Sequence, residues 1–405
     1  MSKHIQAVPS YLRELNERRV LEVLRTQGSA HAAEVARVAG LSRPTASQVL
    51  RSLIEAGLVE EQVPAESDPR RARAMYSAVA DIGVALVIDI GARFVRAAVA
   101  DLNGEVRSTF SEPVADPKLP SLLAAMHSAV DHVLDGSGFE LSNVLSVVVG
   151  SPGIFDAKTG EIAIAGTISD LEGLRLAEVV AKELGHVPVV ENDVNLVTLA
   201  EQRFGEAKDL QNFAVLSVGS GLGAGLALNG ELYRGSRGAA GEVFYIPFGA
   251  ALAGRRGSVD PSAANIVDIA KALAGDYPDS RLKAPFTPVE IFDATRHQDP
   301  LALAVVDEVA RRIALYIAAI TAVLDLELVV LSGGIGRQAD ALLAAIRAVV
   351  AKLVPFAPRV EVSALGEQAV LLGGVALGTS IAQDIVFAQR SAAYSAARDI
   401  GESTA

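Results

Sequence analysis

Five short apolar runs, each closed by a turn of Gly, Ser, Asn or Asp, constrain this chain more than any other feature. They read V-A-L-V-I-D-I-G from Val84, V-V-V-G-S-P-G from Val147, V-V-E-N-D from Val189, A-V-L-S-V-G-S-G-L-G from Ala214 and L-V-V-L-S-G-G-I-G from Leu328. Continuous Val/Ile/Leu runs between turn residues are the pattern of strands buried on both faces, as in a parallel sheet covered by helices. The composition agrees, with 50% hydrophobic residues, 5% aromatic and no Trp. With 405 residues, two or three domains are expected.

The chain has no Cys, which excludes disulfides, thiol catalysis and thiolate metal sites. Met1–Arg19 mixes charged and polar groups without a signal-peptide core, and the uncharged stretch from about Leu210 to Gly230 is interrupted by Gly, Ser and Asn. A cytoplasmic protein with no membrane association is expected. Charge divides the chain: residues 1–80 carry a net +2, the remainder −14. An acidic body repels nucleic acid, so any DNA contact is confined to the amino-terminal segment.

That segment shows three helical patterns. Val20, Leu21 and Leu24 make one apolar stripe, and Val35, Ala36 and Ala39 make a second, ended by Gly40. In the third, Ser42 is placed as an N-cap, Pro44 lies in the first turn, and Ala46, Val49, Leu50 and Leu53 recur at helical spacing. Two helices joined by a short Gly turn are the helix-turn-helix arrangement. Arg43, Thr45, Ser47, Gln48 and Arg51 then face outward toward base edges or phosphates. After Val59 a β-hairpin reads as a wing, with Arg70, Arg71 and Arg73 suited to phosphates or the minor groove. Short helices with polar faces also occur in protein-interaction modules, and an Arg run is often a solvated loop. The capped helix followed by a basic hairpin favours DNA.

From Gly238 the chain reads G-A-A-G-E-V-F-Y-I-P, and from Ala251 A-L-A-G-R-R-G-S-V-D. With the helix-turn-helix phrase, the G-S-P-G turn and E-N-D-V-N, these resemble the ROK family (repressors, open reading frames, kinases). The resemblance implies a winged helix-turn-helix followed by an α/β, actin-like, ribonuclease H-like ATPase fold of two lobes. The expected division is 1–80 for the DNA-binding domain, 81–195 plus about 378–405 for the smaller lobe, and 196–377 for the larger lobe. The family's structural zinc is held by one His and three Cys, and here those positions are Tyr245, Ala251, Ala253 and Ser258. Two methyls and a hydroxyl in place of thiolates exclude the metal. No cofactor is expected.

The same resemblance places a first phosphate loop at Asp89, Gly91, Ala92 and Arg93, where the kinases read D-x-G-G-T. A Cβ at Ala92 and a long cation at Arg93 obstruct a triphosphate, although an Arg can hold a small anion. Gly219 and Gly221 match the second phosphate loop, and Gly333 and Gly334 the adenosine loop; both Gly sets also serve tight strand-turn packing. Gly153, Asn192, Asp193, Glu242, Tyr245 and Asp260 match sugar-contacting positions, with Asp193 at the place of the kinase base. Asp193 also reads as a helix cap.

The reading is therefore a transcriptional repressor, a homodimer or dimer of dimers on a double-stranded two-fold operator, whose catalytically inactive kinase-like body senses a sugar or sugar phosphate. An active sugar kinase fused to a DNA-binding head, and a regulator without a small ligand, remain as alternatives.

Overall fold

The computed structural model describes residues 9–62, 74–166, 168–248 and 259–403. The expected wing tip with Arg70, Arg71 and Arg73, and the loop positions Ala251, Ala253 and Ser258, lie outside the described residues.

Helix α1 (Pro9–Gln27) leads through strand β1 (Ser29–His31) into α2 (Ala32–Val38) and α3 (Arg43–Glu55). Ser42 caps α3, its hydroxyl accepting from the Thr45 N–H at 3.3 Å. Ala46, Val49, Leu50 and Leu53 are its buried residues, as their spacing requires. Strands β2 (Val59–Gln62) and β3 (Met75–Ala78) pair antiparallel, and β1 adds to the other edge of β3. A three-residue strand is too short to show a period in sequence, so β1 is new.

The body contains two sheets. In the first, β4 (Val84–Ile90), β5 (Phe94–Asp101) and β6 (Val106–Pro113) are antiparallel. Helix α4 (Leu119–Ser137) then returns the chain to β7 (Val144–Ser151), parallel to β4. The hairpin β8 (Ile154–Asp156) and β9 (Glu161–Ala163), then helix α5 (Leu176–Leu184), precede β10 (Val189–Asn192), parallel to β7. Helix α6 (Asp193–Phe204) leads to the second sheet, which opens with β11 (Phe213–Val218), β12 (Leu222–Leu228) and β13 (Glu231–Leu232). Helices α7 (Ala263–Leu273), α8 (Pro288–Thr295) and α9 (Pro300–Leu324) follow, then β14 (Leu328–Ser332), the short α10 (Gly333–Gly336), α11 (Ala339–Leu353) and β15 (Arg359–Val362). Helix α12 (Ala369–Ser403) is the last of the described elements.

The orders β10-β7-β4-β5-β6 and β13-β12-β11-β14-β15 are one plan used twice. In each sheet three strands meander antiparallel, and two more add in parallel beside the first. The chain repeats a topology without repeating its residues, and the duplication is invisible in sequence.

Two expected boundaries move. The cut at 195/196 falls inside α6, which cannot be divided. The final helix starts at Ala369 and already packs on the first sheet through Leu371 and Val375, against Val87, Ala98 and Ala100, well before 378. Further along, Ala382, Val386 and Phe387 leave the body and complete the core of the head with Val20, Leu21, Leu24, Val49, Leu50 and Leu53. Gly373 is required where α12 lies against α6, because a Cβ there would stand 1.8 Å from the Leu196 carbonyl oxygen. The stretch Gly366–Arg390, with mean hydropathy 1.6, has the length and composition to cross a bilayer, yet 50% of that window is buried inside the fold. It reads as a core helix.

Candidate functional site

Strand β10 passes into α6 without a loop, which sets the chemistry of the cleft. Asn192 is the N-cap: its Oδ1 accepts from the Val194 and Asn195 N–H groups at 2.9 and 3.3 Å. Its Nδ2 donates to the Gly153 carbonyl at 2.9 Å, tying the G-S-P-G turn to the helix. The capping role considered for Asp193 thus falls to its neighbour. Asp193 accepts from the Val194 N–H at 2.8 Å and otherwise turns into a cavity of about 800 Å³.

That cavity also reaches Arg93, Gly153, Gly219, Gly221, Glu242, Tyr245, Gly333 and Gly334, so residues scattered over 240 positions of sequence line one space. Asp260 is not among them. Its carboxylate is buried and used up, accepting from the Ser262 N–H and Oγ at 2.8 Å each and from Asn265 Nδ2 at 2.7 Å. The expectation of a sugar contact at Asp260 is therefore corrected: it organises the start of α7. Tyr245 stands at the rim, its ring edge-on to Phe244 at 5.5 Å between centroids.

Three carboxyl groups share the cleft at a cost. Burial, and after it the nearby Asp89 and Glu242, push Asp193 up to about 7. Asp89 is raised to about 6 by burial, although Arg96 at 3.3 Å opposes the shift. Burial alone raises Glu242, whose carboxyl group has no hydrogen-bond partner among the described residues. Asp193, half-protonated near neutral pH and lining a polar cavity, is suited to donating to, and accepting from, ligand hydroxyls.

The corner corresponding to the first phosphate loop is cationic. Arg93 is exposed in the cleft and has no carboxylate partner among the described residues, while Arg96 neutralises Asp89 and reaches Glu367 at 3.5 Å. The glycines divide into two kinds. Gly333, at φ 80°, is needed for packing, since a Cβ would lie 2.4 Å from the Val218 carbonyl oxygen. Gly221 and Gly334 have nothing within 4 Å of a would-be Cβ, so no packing need holds them.

Two ion pairs that sequence reasoning missed hold the Glu242 segment across the cleft. Glu191 accepts from Arg234 Nε at 2.6 Å and from Asn195 Nδ2 at 2.8 Å, and Asp156 receives Arg237 through Nε at 3.0 Å and Nη2 at 2.6 Å. The only signal was the Arg spacing in R-G-S-R-G before G-A-A-G-E, which names no partner.

At the other end of the molecule Arg43, Ser47, Gln48 and Arg51 are exposed on one face of α3, and none makes an ion pair among the described residues. Thr45 is half-buried and shares its hydroxyl with Ser42 at 2.7 Å, so it serves the cap first.

A model of the ROK family matches residues 85–380. The chain belongs to the ROK family. An IclR helix-turn-helix domain model matches residues 19–63 in front of the ROK region. Among curated relatives, the xylose repressor of Caldicellulosiruptor bescii is 23% identical over 90% of this chain and 96% of its own length. The glucokinase of Halalkalibacterium halodurans is 27% identical over 71% of this chain and 92% of its own. Among solved structures, a ROK family transcriptional regulator described as a homolog of the E. coli MLC protein superposes with a TM-score of 0.77 at 22% identity, over 94% of this chain and 98% of that one. A ROK family glucokinase from Streptomyces griseus, in complex with glucose and AMPPNP, gives 0.62 at 25% identity over 74% and 100%. The ROK body is thus shared with kinases, and the head extends it.

Proposed function

We propose that this ROK-family chain is a DNA-binding transcriptional repressor whose cleft senses a sugar or sugar derivative without phosphorylating it. The observation that carries the reading is the union of an exposed, capped recognition helix with a kinase-like cleft whose phosphate corner holds Arg93. Phosphoryl transfer depends on placing a triphosphate in line with its acceptor, and a cation with a long side chain at that corner interferes with the placement. Asp193, Glu242 and Tyr245 remain for polyol recognition, and Arg43, Gln48 and Arg51 for the major groove. The wing arginines Arg70, Arg71 and Arg73 add phosphate contacts in this reading. The protein acts in the cytoplasm as a homodimer or dimer of dimers, its paired heads on a two-fold operator. Structural zinc is absent, since Ala251, Ala253 and Ser258 offer no thiolate.

One observation favours a second reading, a kinase with a DNA-binding head: Asp193, raised to about 7 and free of capping duty, is poised as a general base. A coupled assay with ATP and a panel of hexoses, pentoses and amino sugars, run beside operator binding with the same sugars, decides. The repressor reading expects sugar-dependent DNA affinity without turnover; turnover on the order of 1 per second or faster overturns it.

A further inference from the structure

A second cavity, of about 410 Å³, lies where the head meets the body. Its walls come from α1 through Arg18 and Arg25, from the end of α6 through Arg203, and from α12 through Thr379 and Asp384. Two polar atoms here are buried without a hydrogen-bond partner: Arg25 Nε and Thr379 Oγ1, on a residue only 6% exposed. Such atoms in a native fold call for a partner, because an unsatisfied buried polar group is costly and a buried unpaired cation more so. Two carboxylates also line the space. Asp384 is already held by Arg18, which Glu14 also engages and which stacks over the Phe387 ring at 4.4 Å; Glu22 is exposed. Arg25 and Arg203 have no ion-pair partner among the described residues.

We propose that this junction cavity is a binding site for a small phosphate-type dianion, held by the guanidinium groups of Arg25 and Arg203 and by the Thr379 hydroxyl. The assignment does not rest on the reading of the sugar cleft. A guanidinium fork matches a tetrahedral oxyanion in geometry and charge, and a hydroxyl supplies a third donor. Burial depresses Arg25 to about 10, although the nearby Asp384 and Glu22 oppose the shift, so it stays charged at neutral pH. The site is placed to matter, because Arg203 and Asp193 sit at opposite ends of α6. A dianion bridging Arg203 to Arg25 fastens the head to the same helix that presents Asp193 to the cleft.

The test uses the full-length protein and inorganic phosphate titrated at constant ionic strength, followed by thermal melting. The expected result is a saturable rise in Tm that Arg25→Met abolishes. Arg203→Gln, at an exposed position, should keep the Tm in chloride and raise the half-saturating phosphate about tenfold, the equivalent of one charge-assisted hydrogen bond. Glu242→Gln, in the cleft, should leave the phosphate response unchanged. A rise that does not saturate, a half-saturating phosphate that Arg203→Gln leaves unchanged, or a response lost in Glu242→Gln each overturns the assignment. Methyl phosphate, an ester with no polyol for the sugar cleft, in place of inorganic phosphate separates a free anion from an esterified one: a response to both that Arg203→Gln weakens equally supports the phosphoryl group as the recognised chemistry. A response to the ester that Arg203→Gln leaves untouched overturns that recognition.

Discussion

Replacing Asp193 by Asn should stabilise this protein, and increasingly so as the pH rises. The carboxyl group sits at about 7 in the folded state against an ordinary 3.8. A raised folded value means that the native state holds the proton more tightly. The associated stability is therefore complete below about 3.8 and is lost progressively as the pH rises to about 7. At 1.36 kcal/mol per pH unit the whole span is about 4 kcal/mol. Asp89 and Glu242 share in the titration and the cleft is open to water, so half of that, about 2 kcal/mol, is the working figure. Urea unfolding followed by far-UV circular dichroism, on wild type and Asp193→Asn, measures it. The stability gap should widen by about 2 kcal/mol between about pH 4 and pH 8. A gap that stays flat across this range would show that Asp193 titrates as a solvated carboxylate, and the crowding of acids in the cleft would be refuted. The same arithmetic explains why a ligand with hydroxyl donors is welcome there: it relieves a cost that the empty cleft carries.

Four further outcomes are expected. Gln48→Ala should weaken specific operator binding by about 1–3 kcal/mol in a gel-shift titration and leave random-sequence DNA nearly untouched, whereas Arg51→Ala should weaken both and lower the salt slope; the reverse pattern would misassign the face of α3. Gly333→Ala, with its Cβ 2.4 Å from a carbonyl oxygen, should lower Tm sharply or prevent folding, while Gly221→Ala, which meets open space, should stay within about 1 kcal/mol of wild type. Leu50→Ala, 2% exposed in the core that head and body share, should cost about 2–5 kcal/mol by denaturant titration. A melting curve with and without EDTA should be unchanged, and a chelator-induced drop in Tm would contradict the loss of zinc.

The recognition helix α3 was legible almost to the residue, because a Ser cap, a Pro in the first turn and four apolar positions at helical spacing are local signals that folding does not overrule. The α/β class and the carboxyl-terminal strands were legible for the same reason: Val-rich runs that end in Gly report burial directly. Legibility stopped where partners are distant in sequence. Asp260 is spent on Ser262 and Asn265, the Glu191–Arg234 and Asp156–Arg237 pairs cross the cleft, and Asp89 is neutralised by Arg96. No local pattern encodes these choices. The cap moved by one residue, from Asp193 to Asn192, because both types serve equally well there and only the backbone decides. The cut in α6 fell inside one continuous helix, and the division of α12 failed because that helix serves several cores at once.

Helix α12 has a practical consequence for transplanting specificity. The floor beneath Leu21, Leu24 and Leu50 is laid by Ala382, Val386 and Phe387, residues encoded about 350 positions downstream. A chimera that exchanged only the first eighty residues with a relative's would marry a foreign reader to the wrong foundation. Swapping the two ends of the gene together, and leaving the middle alone, is the exchange that this architecture permits.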